Sequence, residues 1–97
     1  MSDILFTWDA KKNTANVNKH GISFEEAQTV FYDDNGRIIY DPGHSHEEDR
    51  FILLGMSKVL NILIVCHCYR KGNDEIRIIS ARKATRKEKQ QYEEHIS

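Results

Sequence analysis

Apolar residues fall along this chain in short runs and one helically spaced set, separated by polar stretches, and each block predicts an element. Ile4 to Trp8 is a brief apolar and aromatic run, the pattern of a first strand. Asp9 is a good N-cap for a polar helix running to His20, and Gly21 is the left-handed residue that stops it. Ser23-Phe24-Glu25-Glu26 reads as a capping box, with Phe24, Ala27, Val30 and Phe31 behind it at helical spacing. Asp33-Asp34-Asn35-Gly36 turns the chain. Three strand-like runs follow: Arg37 to Tyr40, closed by Asp41-Pro42-Gly43, then Arg50 to Met56 and Val59 to Tyr69, with Ser57-Lys58 as the hairpin turn between the last two. Lys71-Gly72-Asn73-Asp74 is another turn, Glu75 to Ser80 the last strand, and Thr85-Arg86-Lys87-Glu88 a second capping box that opens a C-terminal helix. The order is β-α-α-β-β-β-β-α. Short turns between the later strands imply an antiparallel sheet with the helices packed on one face, an α+β fold.

Composition narrows this picture. Ninety-seven residues, 39% hydrophobic and 30% charged, make one domain spanning 1–97 with one modest core and little room for a deep cofactor cavity. The longest apolar stretch, Ile62 to Cys66, is far short of the ~20 residues of a membrane span, and Met1-Ser2-Asp3 begins no signal peptide. Membrane and secreted readings are excluded, leaving a cytoplasmic protein in which Cys66 and Cys68 are reduced neighbours on one strand. The net charge of −1 conceals an asymmetry. Residues 1–49 hold four Lys or Arg against ten acids, and residues 50–97 hold ten against five. The basic half either engages a polyanion or attracts the acidic half.

Four groups of residues could carry chemistry. His44-Ser45-His46-Glu47-Glu48-Asp49 has metal-ligand residue types, but a stable site needs ligands from separate rigid elements, so no metal is expected. Lys12, Asn16, Lys19 and His20 share one face of the first helix, either as a solvated face or as a working one. Arg50, Arg77 and Arg82 lie on or beside strands, with Tyr69 and Arg70 nearby. Guanidinium groups converging on one sheet face would suit phosphate, and the alternative is pairing of each with an acid. Alternation puts Arg77 on the opposite face from Ile76, Ile78 and Ser80. Finally, Arg82, Lys83, Arg86 and Lys87 crowd the start of the last helix, the reverse of what its dipole favours, and Tyr92 and Ile96 make a thin apolar face. Such a helix is expected to be loosely docked or completed by a partner.

Taken in order, these pieces resemble the BrnT toxin family. Phe6-Thr7-Trp8-Asp9, Lys12, Asn16, Lys19-His20-Gly21-Ile22-Ser23-Phe24-Glu25-Glu26-Ala27 and Val30-Phe31 carry the first half of the likeness. Glu48-Asp49-Arg50, Gly55, Arg77-Ile78-Ile79-Ser80-Ala81-Arg82-Lys83-Ala84, Glu88 and Tyr92 carry the second. The resemblance implies a RelE-like toxin of a type II toxin–antitoxin system, a metal-independent endoribonuclease that inhibits translation and needs no cofactor. Its partners would be RNA and a BrnA-like ribbon-helix-helix antitoxin, with promoter DNA reached only through that antitoxin.

On that resemblance, His20 is the candidate general acid or base, since its unperturbed pKa lies near neutrality. Arg50, Arg77 and Arg82 would stabilise transition-state charge, Lys19 would hold a neighbouring phosphate, and Tyr69 and Tyr92 would stack on bases. Arg82, Arg86, Lys87, Tyr92 and Ile96 would meet the antitoxin. The His44/His46 loop, the cysteine pair and the near-zero net charge depart from the family pattern. The competing class is a binding module without catalysis, acting as co-repressor of a DNA-binding antitoxin.

Overall fold

A computed structural model of the chain describes residues 4–41, 43, 48–72 and 74–96. The described elements run β1 (Leu5–Thr7), α1 (Ala10–His20), α2 (Phe24–Thr29), a 3-10 turn (Val30–Tyr32), β2 (Arg37–Asp41), β3 (Arg50–Met56), β4 (Ile62–Arg70), β5 (Glu75–Lys83) and α3 (Arg86–Ile96). They build an α+β fold on one five-stranded sheet of order β1-β5-β4-β3-β2. The hairpin-linked strands β2 to β5 are antiparallel as expected, but β1 runs parallel to β5 and makes the sheet mixed. The whole chain between them is the crossover that a parallel pair requires.

Local signals set the helix ends. Asp9 accepts hydrogen bonds from the Lys11 and Lys12 amides, and Gly21, at φ 72°, closes α1 by donating to Val17. The Ser23 hydroxyl caps α2 through the Glu26 amide at 3.1 Å. Glu26 does not complete that box. Its carboxylate instead takes the Ser57 hydroxyl at 2.6 Å and the Asn61 amide at 2.9 Å. Those bonds open the β3–β4 connection into a wider loop than the two-residue hairpin expected, and β4 starts at Ile62 instead of Val59. Val59 and Leu60 are 64% and 76% exposed, with Leu60 held at φ 69°. The apolar pair that imitates strand is loop.

Both faces of the sheet bury apolar side chains. On the first, Leu53, Leu63, Val65, Ile78 and Ala81 pack under Ile22, Phe24, Ala27 and Val30 of the α1–α2 layer. Gly55 permits the closest approach, since a β-carbon there would lie 2.8 Å from Val30 Cγ1. On the second face, Leu54 and Ile64 pack with Ala84 and with Tyr92 of α3. Adjacent strand residues point to opposite sides, so α3 covers the reverse side from α1 and α2; the helices occupy both faces instead of one.

Nor is α3 loosely docked. Tyr92 is 3% exposed, and its hydroxyl donates to Asp33 Oδ2 at 2.6 Å. Burial is the largest influence on the Asp33 carboxyl and pushes its pKa up. Bonds from Tyr92, Met56 and Asn35 outweigh it and hold the pKa below the usual value. At the start of α3 the second capping box is complete: Thr85 N–H donates to Glu88 at 2.8 Å, and Glu88 N–H to the Thr85 hydroxyl at 3.2 Å. Arg82 joins it with a two-pronged bond to Glu88 at 2.8 and 3.0 Å. The reversed charge expected at this helix start is therefore compensated within the chain at Arg82, while Arg86 and Lys87 stay exposed.

The polar face of α1 also turns inward at one point. Asn16, 7% exposed, donates to the Ile22 and Ala81 carbonyls at 2.8 Å each and accepts from the Ala81 amide at 3.1 Å. β1 pairs only with Glu75–Arg77, so beyond it the carboxamide replaces a neighbouring strand at the edge of β5.

Two stability outcomes are expected. Asn16→Ala strands three buried backbone groups and should cost on the order of 3 kcal/mol in denaturant unfolding, while Lys19→Ala on the same helix should stay within about 0.5 kcal/mol. Equal effects would show that the carboxamide does not hold α1. Glu88 should give an acid-dependent contribution. The Arg82 hydrogen bonds, chief among its favourable contacts, lower its pKa from 4.5 to about 2. A depressed carboxylate pKa stabilises above the unfolded value and loses that stabilisation as pH falls through the folded one. Glu88→Gln should then be less stable than wild type by about 1 kcal/mol near neutrality, with the gap closing between pH 4.5 and about 2. A gap independent of pH would rule out the ionised cap.

Candidate functional site

The strand register assembles the candidate site in three rows on the second face of the sheet. Asp41 pairs with Arg50, Arg50 with Cys68 and Cys68 with Arg77. The next row is Ile39, Ile52, Cys66 and Ser80, and the third is Arg37, Leu54, Ile64 and Arg82. Residues directly opposite one another across a sheet project to the same side. Arg50 and Arg77 thus stand along one border, Arg37 and Arg82 along the other, with an apolar and thiol floor between. A cavity of about 240 Å³ opens over this floor, lined by Asp41, Arg50, Ile52, Ile64, Cys66, Ile79, Ser80 and Arg82.

One irregularity makes this possible. Cys66 pairs with Ser80 but His67 with Ile78, so Ile79 is an extra residue, a bulge in β5. Simple alternation puts Arg77 and Arg82 on opposite faces and Ser80 beside Ile78. The bulge resets the alternation and brings Arg77, Ser80 and Arg82 to one side. Ser80 therefore lies on the face opposite to the one alternation predicts, because a bulge at Ile79 leaves no mark in an Ile-Ile-Ser run.

The floor is chemically quiet. Burial pushes the Cys66 thiol pKa up, with Arg50 opposing it and Asp41 reinforcing it, and burial with the Glu48 carboxylate raises Cys68. Both thiols are therefore neutral at physiological pH and free of disulfides. Arg82 is committed to Glu88, while about two-fifths of its side chain stays open to solvent. Glu48 also pairs with Arg70 at 3.5 Å.

Other candidates lie elsewhere. Lys19 and His20 end α1, which docks at the outer edge of β5 through Asn16, and neither lines the cavity. Tyr92 does not offer a face for base stacking. It is buried with its hydroxyl bonded to Asp33, and burial then Asp33 raise its pKa to about 12. It forms part of a groove of about 680 Å³ between the 3-10 turn, the β3–β4 loop and α3, where Tyr32, Met56, Lys58 and the exposed Ile96 also lie. Tyr69 packs edge-on against Phe51 and His67. His67 escaped notice in the sequence. Fully buried against Phe31, Phe51 and Tyr69, it has its pKa lowered to about 4 by burial and stays neutral, a core group rather than an acid–base one.

Among the described residues no three His, Cys, Asp or Glu side chains cluster to hold a metal. His44, Ser45, His46 and Glu47 lie outside the described residues. No described helix is long and apolar enough to cross a membrane.

Comparison with known proteins adds the chemistry. No curated protein sequence matches the chain. The crystal structure of the Brucella abortus ribonuclease toxin BrnT is similar, with a TM-score of 0.62 and 23% identity, over 89% of this chain and 100% of that one. At that identity the likeness shows the fold. The family described as "Ribonuclease toxin, BrnT, of type II toxin-antitoxin system" matches residues 8–88, from just after β1 into the first turn of α3. With that span covering nearly all the elements that build the arginine face, the chain belongs to the BrnT family of ribonuclease toxins.

Proposed function

We propose that this protein, acting as a single domain in the cytoplasm, cleaves RNA on the arginine face of its sheet without a metal or cofactor, and so inhibits translation until a BrnA-like antitoxin covers it. The carrying observation is that Arg50 and Arg77 share one row while Arg50 and Arg82 line one cavity. A phosphodiester over the apolar floor meets guanidinium groups from both borders, and their planar forks match phosphate oxygens in pairs. In the reaction the ribose 2′-oxygen attacks phosphorus and loses its proton. The 5′-oxygen leaves and gains one, giving a 2′,3′-cyclic phosphate and a 5′-hydroxyl.

Charge develops on the phosphorane oxygens, where fixed cations act most strongly. Arg50 and Arg77 are the main candidates for this. Arg82, tied to Glu88, orients the substrate more than it adds charge. His20 is the proposed acid or base and Lys19 a phosphate contact for RNA that wraps past the edge of β5. Tyr69 lies on the opposite face with Phe51 and His67, so it is a stacking candidate only for that wrapped segment of RNA and not over the cavity floor. The antitoxin, a ribbon-helix-helix protein that also carries the pair to promoter DNA, is proposed to meet α3 at Arg86, Lys87 and Ile96 and to reach Arg82 at the rim of the cavity. Tyr92 contributes to that surface only as part of the groove.

Arg50→Ala and Arg77→Ala should each lower RNA cleavage on the order of 10²–10³-fold while the protein stays folded, scored by growth inhibition and by cleavage of purified RNA. Full activity in both folded variants would remove the arginine face from catalysis. Intact RNA during wild-type expression without antitoxin would instead favour a co-repressor that only binds. Cleavage should persist in EDTA. Loss of activity with chelator and recovery with zinc or manganese would implicate His44, His46 and Asp49.

A further inference from the structure

The two edges of the sheet are treated differently. At one, β1 is three residues long and Asn16 occupies the edge of β5 beyond it. At the other, β2 is the terminal strand among the described residues, and it carries Ile38, Ile39 and Tyr40 at 54%, 49% and 48% exposure. Natural edge strands are blunted by internal charges, prolines or cover; the middle of β2 has three exposed β-favouring residues instead, a ready template for another strand.

The residues at its ends indicate which strand. β2 reads Arg37-Ile38-Ile39-Tyr40-Asp41. Antiparallel pairing of two such strands about Ile39 sets Ile39 against Ile39, Ile38 against Tyr40, and each Arg37 against an Asp41. Every cross-strand pair is apolar on apolar or cation on anion, and a two-fold interface requires such self-complementarity. We propose that the occupant of this edge is a second copy of the chain, joined through β2 into a continuous ten-stranded sheet.

The pairing also extends the candidate site. Opposed residues share a face, so Arg37 of the second copy comes to Asp41 on the side where Asp41 and Arg50 border the cavity. The row becomes Arg77, Cys68, Arg50, Asp41 and Arg37 of the second copy. Both arginine faces then lie on the same side of the joined sheet, giving one basic track across two subunits. Two five-residue strands bury little surface, so the association belongs to the weak, concentration-dependent class.

Sedimentation equilibrium from roughly 10 μM to 1 mM, a range suited to small interfaces, tests this on the full chain. Wild type should shift from monomer to dimer. Ile39→Lys, which opposes two cations at the two-fold axis, should stay monomeric, as should Arg37→Glu and Asp41→Lys separately, each checked for folding by circular dichroism. An equimolar mixture of Arg37→Glu and Asp41→Lys should dimerise again, because both end pairs become opposite in charge, and no other interface predicts that rescue. A wild type that stays monomeric throughout, or dimers that survive both Ile39→Lys and Arg37→Glu, would overturn the proposal. So would a monomeric wild type whose antitoxin binding is lost in Ile39→Lys, which would assign the edge to the antitoxin.

Discussion

The single extra residue in β5 governs what this sheet can do. Were Ile79 paired in regular alternation instead of bulged out, Arg77 and Arg82 would leave the strand on opposite sides. With the bulge, Ile78 and Ala81 both reach the core beneath α1 and α2, although they are three positions apart. The polar residues between and around them collect on the other face. A bulge breaks the ladder locally, and here the stretch just beyond it is secured from outside by Asn16, which bonds both backbone groups of Ala81. The carboxamide of a surface-looking helix thus stabilises the register shift on which the arginine face depends. Packing and site geometry are set by the same three residues, Ile78 to Ser80.

The charge pattern follows the same logic of local settlement. A net charge near zero argues against a polyanion partner only if charges are averaged over the molecule, and phosphate contacts depend on the face presented. Acids of the N-terminal half do not neutralise the basic half wholesale. Glu26 and Asp33 are used to hold loops and Tyr92, and Glu88, from the basic half itself, takes Arg82. Asp41 stays on the arginine face in register with Arg50, so the border of the cavity is a mixed row and not a bare cluster of cations. A mixed row costs less in self-repulsion and still presents guanidinium groups to an anion lying over the floor.

The sequence disclosed whatever was local. Asp9, Gly21 and Ser23 announced their helix ends by short-range bonds, and the runs Arg50–Met56 and Glu75 onward were strand by composition. What failed was decided at a distance. Glu26 left its own capping box for Ser57 and Asn61, 31 and 35 residues away, and turned apolar Val59 and Leu60 into loop. Tyr92 looked like an unfinished surface because its partner, Asp33, is 59 positions off. Which side α3 would cover depended on the parity of strands it does not adjoin in sequence. The arginines were recognisable by chemistry, yet their shared face rested on a bulge that no residue type announces.

His20 and the arginines show how far this geometry constrains the chemistry. α1 is held at the edge of β5 through Asn16, and His20 at its C-terminus does not line the cavity. A substrate confined to the floor would meet cations and neutral thiols, Cys66 among them, but no group that exchanges protons near neutrality. Tyr69 and His67 do not supply one, since burial raises the phenol's pKa and lowers the imidazole's. Proton transfer must then come from the substrate's surroundings at the rim, from His20 on a chain long enough to reach it, or from solvent. Under the proposed function such a face would accelerate cleavage chiefly by stabilising charge, and the placement of Arg50 and Arg77, with the bulge that gives them company, would be the feature on which activity turns.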